Sequence, residues 1–338
     1  MFTQTLLNWY QHHRRDLPWR HTQDPYAIWI SEIILQQTRI QQGLDYWLRF
    51  MQRWPHVEDL ANATQDEVLR QWQGLGYYSR ARNLHAAAKQ IAALGHFPDT
   101  LEDIRHLKGV GDYTAAAIAS FAFGIPAAAV DGNAYRVLAR HYGIDTPINT
   151  TQGKKLFTTL AQSLLPADQP AAFNQAMMDF GAIQCTPQSP RCILCPLQET
   201  CDALQTGRIE GLPVKQRTLT IQTRRLTYLY LRCNHHTALR RRPSGDIWQG
   251  LWEPLLTTDT LAKHMPLPEA TAQALIAQAI PLRQNVKHIL THRILLADFY
   301  FLELPTRPAL TDSYTWIAED QLDNYALPRL IQILFEAL

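Results

Sequence analysis

The stretch TLEDIRHLKGVGDYTAAAIASFAFG, residues 100–124, reads as helix, tight turn, helix, and it decides the fold of the N-terminal region. Thr100 with Asp103 resembles a capping box that opens the first helix. Gly109, Val110 and Gly111 supply the turn, where glycine permits positive φ and lets a second backbone come close. The second helix starts near Asp112 and directs unpaired N–H groups forward, a geometry that holds phosphate without reading sequence. A purely structural helical hairpin would use the same residues. The residues beyond the turn favour the phosphate-binding reading: an alanine-rich helix, then Val-Asp-Gly-Asn at 130–133.

Outward from this hairpin, apolar positions recur three or four apart through residues 1–205, with breaks at Pro55, 74–76, 95–98, 109–111 and 124–126. The periodicity predicts one helix over 26–42 and another over 133–142. From about Thr227 the pattern changes: Leu229 and Tyr230 with their neighbours suggest a strand, as do residues 294–304, and helical patterns return at 271–279 and 327–338. The expected layout is an all-helical domain over 1–205, a basic linker over 206–226 and a smaller α+β domain over 227–338, with no tandem repeat. A length of 338 residues suits two domains, and 46% apolar residues with nine tryptophans suit packed cores rather than disorder.

The net charge of +2 says nothing about partners. Its distribution says more, because nine Lys or Arg and one acidic residue, Glu210, fall between Arg208 and Arg242. Such a stretch either lies against phosphates or forms a solvated linker. The first residues have no signal-peptide pattern, and the longest apolar run, 115–130, is interrupted by Gly124 and Pro126. No membrane span is expected, and the location is expected to be cytoplasmic. Five cysteines without a secretion signal argue for a reducing compartment and against a disulfide framework.

Four of those cysteines, Cys185, Cys192, Cys195 and Cys201, are spaced C-x6-C-x2-C-x5-C. Four soft thiolates this close suit zinc or an iron–sulfur cluster. A zinc ribbon shows two short pairs, whereas here one pair alone is short, which favours a [4Fe–4S] cubane. Cys233 lies outside the array in an expected strand and reads as a small buried residue. Two carboxylates occupy unusual places. Glu32 shares a helical stripe with Ile28 and Leu35, and burial there would raise its pKa toward what a general acid needs. A half-exposed structural residue is the alternative. Asp131 closes the apolar run and precedes a helix, so it serves either as an N-cap or as an anion facing a cationic sugar.

Together, SEIILQQT, LGYYSRARNL, LKGVGDYTAAAI, VDGNAYRVLAR, NQAMMDFGAIQC and the cysteine array resemble the helix-hairpin-helix glycosylase superfamily over nearly all of residues 1–205. Its endonuclease III branch, a glycosylase and lyase, has a lysine nucleophile where this chain has Tyr113, and without that amine no Schiff base can form there. The chain is more similar to the MutY branch, adenine glycosylases acting opposite 8-oxoguanine. That resemblance implies a monofunctional enzyme with a [4Fe–4S] cluster, acting as a monomer on double-stranded DNA with adenine opposite 8-oxoguanine or guanine. It implies that Glu32 protonates N7 of a flipped-out adenine, that Asp131 stabilises the sugar cation, and that Tyr113 and Asn133 support them by hydrogen bonding. Gln37 and Tyr77 would insert into the base stack. Tyr135 stands where many members carry a lysine that base removal does not require.

The segment 227–255 resembles the Nudix-like domain that follows this core, without the paired glutamates of a hydrolase metal box. The resemblance makes this domain the reader of 8-oxoguanine. The family's Phe-Ser-His loop corresponds to Leu290, Thr291 and His292, so a hydroxyl and an imidazole are kept and the aromatic is not. The expected class is therefore a multi-domain protein: an all-α helix-hairpin-helix glycosylase core with a [4Fe–4S] loop, followed by an α+β Nudix-like domain. Two rivals are an endonuclease III-like lyase, opposed by Tyr113, and a non-catalytic iron–sulfur DNA-binding protein, opposed by the presence of both Glu32 and Asp131.

Overall fold

The computed structural model describes residues 1–216, 221–262 and 264–338. Twelve helices precede the first strand among these residues: α1 (Phe2–His13), α2 (Pro25–Leu35), α3 (Ile40–Arg53), α4 (Val57–Asn62), α5 (Gln65–Gln71), α6 (Ser79–Leu94), α7 (Leu101–His106), α8 (Asp112–Phe123), α9 (Gly132–His141), α10 (Thr151–Leu164), α11 (Pro170–Asp179) and α12 (Asp202–Gln205). Beyond them lie β1 (Gln222–Cys233), β2 (His236–Arg241), β3 (Trp252–Glu253), β4 (Leu255–Asp259), α13 (Glu269–Ile276), β5 (Ile280–Ile289), β6 (Arg293–Glu303), β7 (Tyr314–Ala318) and α14 (Arg329–Phe335). No helix is long and apolar enough to cross a membrane among the described residues.

Each glycine or proline break in the sequence falls between helices. One further break has no such marker. The helix expected over 26–42 is two helices, because α2 stops at Leu35 and the chain turns through Gln37 at φ 59° before α3 begins. A left-handed conformation costs an L residue about 1–2 kcal/mol, so nothing in the local composition, Gln-Gln-Thr-Arg, announces it. The hairpin is as expected with two refinements. Thr100 accepts from the Asp103 N–H at 3.1 Å, while its hydroxyl donates to the Asp103 carboxylate instead of completing a reciprocal box. Of the two turn glycines only Gly109 is left-handed, at φ 79°; Gly111 is extended and caps α8.

The chain divides into two compact units. One comprises Met1–Asn62 and the chain from Asn83 to the linker; the other comprises Ala63–Arg82 and the chain beyond it. The expected boundary placed residues 63–82 in the helical domain. They pack with the later residues instead: Arg82 donates to the Gln249 carbonyl at 2.8 Å, Arg241 to Asp66 at 2.6 Å, and the Leu327 N–H to Gln73 at 3.0 Å. The expected linker is also shorter than 206–226, since β1 begins at Gln222 and buries Leu226; residues 217–220 lie outside the described residues.

In the second unit the sheet order is β3-β2-β1-β6-β5, with β4 paired to β1 and β7 to β2. β1 and β6 are parallel and the other pairs antiparallel. Period-two alternation sends Leu226, Tyr228 and Tyr230 to one face, packed with Leu330, Ile331 and Leu334 of α14. Leu229 and Leu231 go to the other, packed with Ala272 and Leu275 of α13. The sheet thus carries a helix on each face. Among the described residues the basic stretch is largely ion-paired rather than an open phosphate-binding strip. Six of its nine cations, Arg208, Arg224, Arg232, Arg240, Arg241 and Arg242, are ion-paired with carboxylates. Arg224 and Arg242 are buried.

A Cβ at Gly109 would lie 2.6 Å from the Asn83 Cβ on α6, whereas one at Gly111 would meet nothing within 4 Å. Gly109→Ala is therefore expected to lower unfolding stability by about 1–3 kcal/mol, and Gly111→Ala by a few tenths to about 1 kcal/mol. Paired denaturant melts of the two variants check this ordering.

Candidate active site

Helices α2, α8 and α9 build one cavity of about 790 Å³ in the first unit. Glu32, Tyr113, Asp131 and Asn133 all line it, and so does Gln37. Glu32 lies on α2, fixed at its start by Asp24, which accepts from the Tyr26 and Ala27 N–H groups, and by Pro25 at the first helical position. Nine of the helix's eleven residues are buried, Glu32 among them at 7% exposure. Tyr113, in the first turn of α8, donates its hydroxyl to Glu32 Oε2 at 2.8 Å. Burial pushes the Glu32 carboxyl up to about 7. The Tyr113 bond and the Arg20 charge oppose that rise, and Asp131 adds to it.

Asp131 is the N-cap of α9 and also faces the cavity, so both readings of this residue hold at once. Its Oδ1 accepts from the Ala134 N–H at 2.8 Å and its Oδ2 from Asn133 Nδ2 at 2.7 Å. Burial raises its pKa, while these bonds and the Arg136 charge favour the anion. Burial thus raises both carboxyl groups, but Glu32 has one side-chain donor, a phenol, whereas Asp131 has N–H donors on both oxygens that favour its anion.

The polypeptide reaches Asp131 along an extended segment whose backbone is satisfied by buried side chains. Asn174 on α11 accepts from the Ala129 N–H at 3.0 Å and donates to the Ala127 carbonyl at 2.8 Å and to Ser120 at 2.9 Å. Gln162 brackets the same segment through Ala128 and Pro126. At the end of α11 a π-helical turn, Phe180–Gln184, carries Gly181 against α9, where a Cβ would fall 2.5 Å from the Asn133 Cβ.

That turn leads into the cysteine array. Cys185, Cys192, Cys195 and Cys201 are half-buried and line one cavity of about 30 Å³. Arg140 donates to Cys185 Sγ at 3.5 Å, and Cys201 Sγ lies 3.6 Å from the Arg140 carbonyl. Among the described residues no three His, Cys, Asp or Glu side chains are grouped closely enough to share a single metal ion. Cys233 ends β1 and is fully buried.

The remaining expected residues lie elsewhere. Tyr77, Thr291 and His292 line a cavity of about 500 Å³ in the second unit. Gly109, Val110 and Gly111 form the hairpin turn and line neither that cavity nor the one around Glu32. The Tyr77 and Thr291 hydroxyls are hydrogen-bonded. Tyr77, like Gln37, is exposed and left-handed, at φ 46°. Leu290, half-buried, lines the same cavity and packs against the sheet core.

The HhH-GPD superfamily of base excision DNA repair proteins matches residues 30–163, and the NUDIX domain matches residues 227–337. An adenine DNA glycosylase of Buchnera aphidicola subsp. Baizongia pistaciae is 37% identical over 256 residues, which span 75% of this chain and 72% of that protein. The chain belongs to the adenine DNA glycosylase family. The mouse adenine DNA glycosylase is 44% identical over 226 residues, 63% of this chain, and the chain spans 44% of that relative's length. Among solved structures, a thermostable thymine-DNA glycosylase matches with TM-score 0.57 and 34% identity over 61% of this chain and 95% of that one. An endonuclease III in a non-covalent DNA complex shares the fold, with TM-score 0.53 at 22% identity, over 61% of this chain and 94% of that one.

In this adenine glycosylase family member, two side chains that support the cavity from behind, Asp179 and Arg136, escaped the sequence reading. Asp179 is wholly buried and accepts from Arg20 at 2.7 and 2.8 Å and from Arg15 Nε at 2.6 Å. Burial would raise its pKa, but the two arginines outweigh that and lower it. Arg136 donates to Asn133 Oδ1 at 2.8 Å, to the Cys185 carbonyl at 2.7 Å and to the Gly181 carbonyl at 2.5 Å. It thereby joins the Asp131 turn to the cysteine loop. The residues stand in the motifs VDGNAYRVLAR and NQAMMDFGAIQC, but a lone Arg or Asp on a helix carries no sign of its partner.

The raised Glu32 carboxyl has a stability consequence with a definite sign. A folded pKa of about 7 against an unfolded 4.5 means the folded state loses stability as pH rises through 7. Glu32→Gln should therefore stabilise the protein at pH 8, by up to about 3 kcal/mol. The gain should shrink as pH falls through 7 and vanish below about 4.5. Thermal melts of both proteins across that range read it directly.

Proposed function

We propose that this chain hydrolyses the N-glycosidic bond of adenine paired with 8-oxoguanine or guanine in double-stranded DNA, without a lyase step. The observation that carries the reading is Glu32: a buried carboxyl raised to about 7 in the wall of a cavity roomy enough to admit a base, which Asp131 also lines. An adenine turned out of the stack enters this cavity. Glu32 transfers its proton to N7, so the purine departs as a neutral base when the C1′–N9 bond breaks. Asp131 faces the oxocarbenium-like sugar left behind and lowers its energy electrostatically. The ionised Glu32 then takes a proton from the attacking water, whose hydroxyl ends on C1′. Tyr113 holds Glu32 in place through its 2.8 Å bond, and Asn133 orients Asp131. Tyr113 offers no amine for a Schiff base, which supports a monofunctional enzyme over a lyase.

The DNA-binding roles belong to the same reading. Gly109, Val110 and Gly111 would meet a phosphate with the free N–H groups of the α8 first turn. Gln37 and Tyr77 would insert into the stack; their exposure in left-handed backbone supports this, since such conformations gather at functional sites. Thr291 and His292 would read the oxidised guanine. Action as a monomer on double-stranded DNA is part of the same proposal.

Four thiols lining one small cavity beside an arginine are soft donors of the kind that hold a [4Fe–4S] cluster. Cys185, Cys192, Cys195 and Cys201 would hold it. Bound there, the cluster would cross-link the loop that Arg136 ties to Asn133.

Glu32→Gln should lower single-turnover adenine release by about 10²–10⁴-fold or more, because the acid is lost while the surface is kept. DNA affinity should stay close to that of the unaltered protein, and near-normal turnover would overturn the assignment. The unaltered enzyme's rate should fall as pH rises through about 7, where Glu32 loses its proton. Anaerobically purified protein should contain about four irons per chain with a broad visible absorbance shoulder; stoichiometric zinc without iron would refute the cluster.

A further inference from the structure

The cavity in the second unit has a wall that the family resemblance did not supply. It is bounded by residues 75–79, by the loop 246–248 between β2 and β3, and by residues 289–293. Trp248 stands on the middle loop, half-buried, lining the cavity and packing against the sheet core. Its φ is 60°, a conformation in which a bulky L residue is an outlier and persists where surrounding contacts enforce it. Those contacts are identifiable. Asp246, two residues earlier, accepts from Arg224 at 2.7 and 2.6 Å, from Arg242 at 2.7 Å, from Arg293 at 3.1 Å and from the Ile247 N–H at 2.7 Å. Arg242 is anchored in turn on the fully buried Glu253. Its guanidinium lies 5.8 Å from the Trp248 ring centre, and the His288 ring meets the indole edge-on at 5.9 Å. The indole is thus held in one orientation beside Thr291 and His292.

We propose that Trp248 is a specificity-determining residue that presents a stacking face to the purine opposite the excised adenine, in the place of the aromatic that Leu290 lacks. The inference rests on the reading of this cavity as the 8-oxoguanine reader. A ring face fixes the plane of the purine, and the Thr291 hydroxyl and His292 imidazole can discriminate by hydrogen bonding only while the edge of the base is held there. Losing a base-stacking aromatic weakens the interaction about tenfold to a hundredfold, and this loss falls on the base that these polar groups select.

The test is the ratio of single-turnover rates, at sub-saturating full-length enzyme, for adenine opposite 8-oxoguanine over adenine opposite guanine. Trp248→Ala should lower this ratio by about tenfold or more. Trp248→Leu, which keeps apolar bulk without the ring face, should behave as the alanine variant does, and Trp248→Phe should restore most of the ratio. A ratio within about twofold of the unaltered enzyme in the alanine variant, or a leucine variant that behaves as the unaltered enzyme, overturns the proposal. So does a fall in both rates that leaves the ratio intact. Thr291→Ala separates the two readings. If it leaves the ratio unchanged, this cavity does not read the base; if it lowers the ratio and Trp248→Ala does not, only the role of Trp248 fails.

Discussion

A carboxylic acid held half-protonated at neutral pH inside an apolar wall is the constraint around which the first unit is arranged. Moving Glu32 from its ordinary 4.5 to about 7 represents about 3 kcal/mol of differential cost at high pH, a large share of a typical folding stability of about 5–15 kcal/mol. Water reaching the carboxylate would remove the shift. The helix α2 therefore has to be apolar on nearly all sides, as it is, with Ile28, Trp29, Ile30, Ile33 and Ile34 buried around the acid. One donor, Tyr113, is enough to fix the side chain; further donors would favour the anion and undo the acid.

The opposite requirement shapes Asp131. The anion proposed at Asp131, whose pKa burial raises, needs donors in the same cavity, and the start of α9 provides them. That places a helix N-terminus against the cavity, which in turn demands an extended approach through Ala127–Val130 with backbone groups that have no ladder to join. Buried, unsatisfied amides would cost about 1–3 kcal/mol each. Asn174 and Gln162 take up those groups, and Gly181 allows α9 and the π-helical turn to approach closely enough for Arg136 to bridge Asn133 and Cys185. The acid and anion thus explain side chains two helices away.

The parts of this arrangement that sequence could show are those with a periodic or compositional mark. The hairpin at 100–124 was visible through its capping residues and its two glycines, Glu32 through its place on an apolar stripe, the cysteines through their spacing. The break at Gln37 was not, because a left-handed glutamine carries no residue-type signature. The pairing of Arg20 with Asp179 and of Arg136 with Cys185 was not, because contacts spanning 159 and 49 residues are set by tertiary packing alone. The basic stretch misled for the same reason: a run of arginines looks solvated until folding brings in the carboxylates that meet them, Asp246 in the loop after β2, Glu253 on β3, Asp259 at the end of β4 and Glu319 just after β7.

Those pairings change what the second unit can do. Asp246, Glu253 and Asp259 are each engaged by one or more arginines, so their negative charge acts as internal structure. Breaking such a buried pair by removing one partner costs about 3–5 kcal/mol, while a left-handed Trp costs about 1–2 kcal/mol. The network is the stronger term, and it decides the backbone of the loop that ends in Trp248. A loop held by ions rather than by its own propensity keeps one shape before any ligand arrives. Pre-organisation of this kind lowers the ordering cost of binding, which suits the proposed discrimination of 8-oxoguanine from guanine, two purines that differ by one oxygen on C8 and a hydrogen moved to N7.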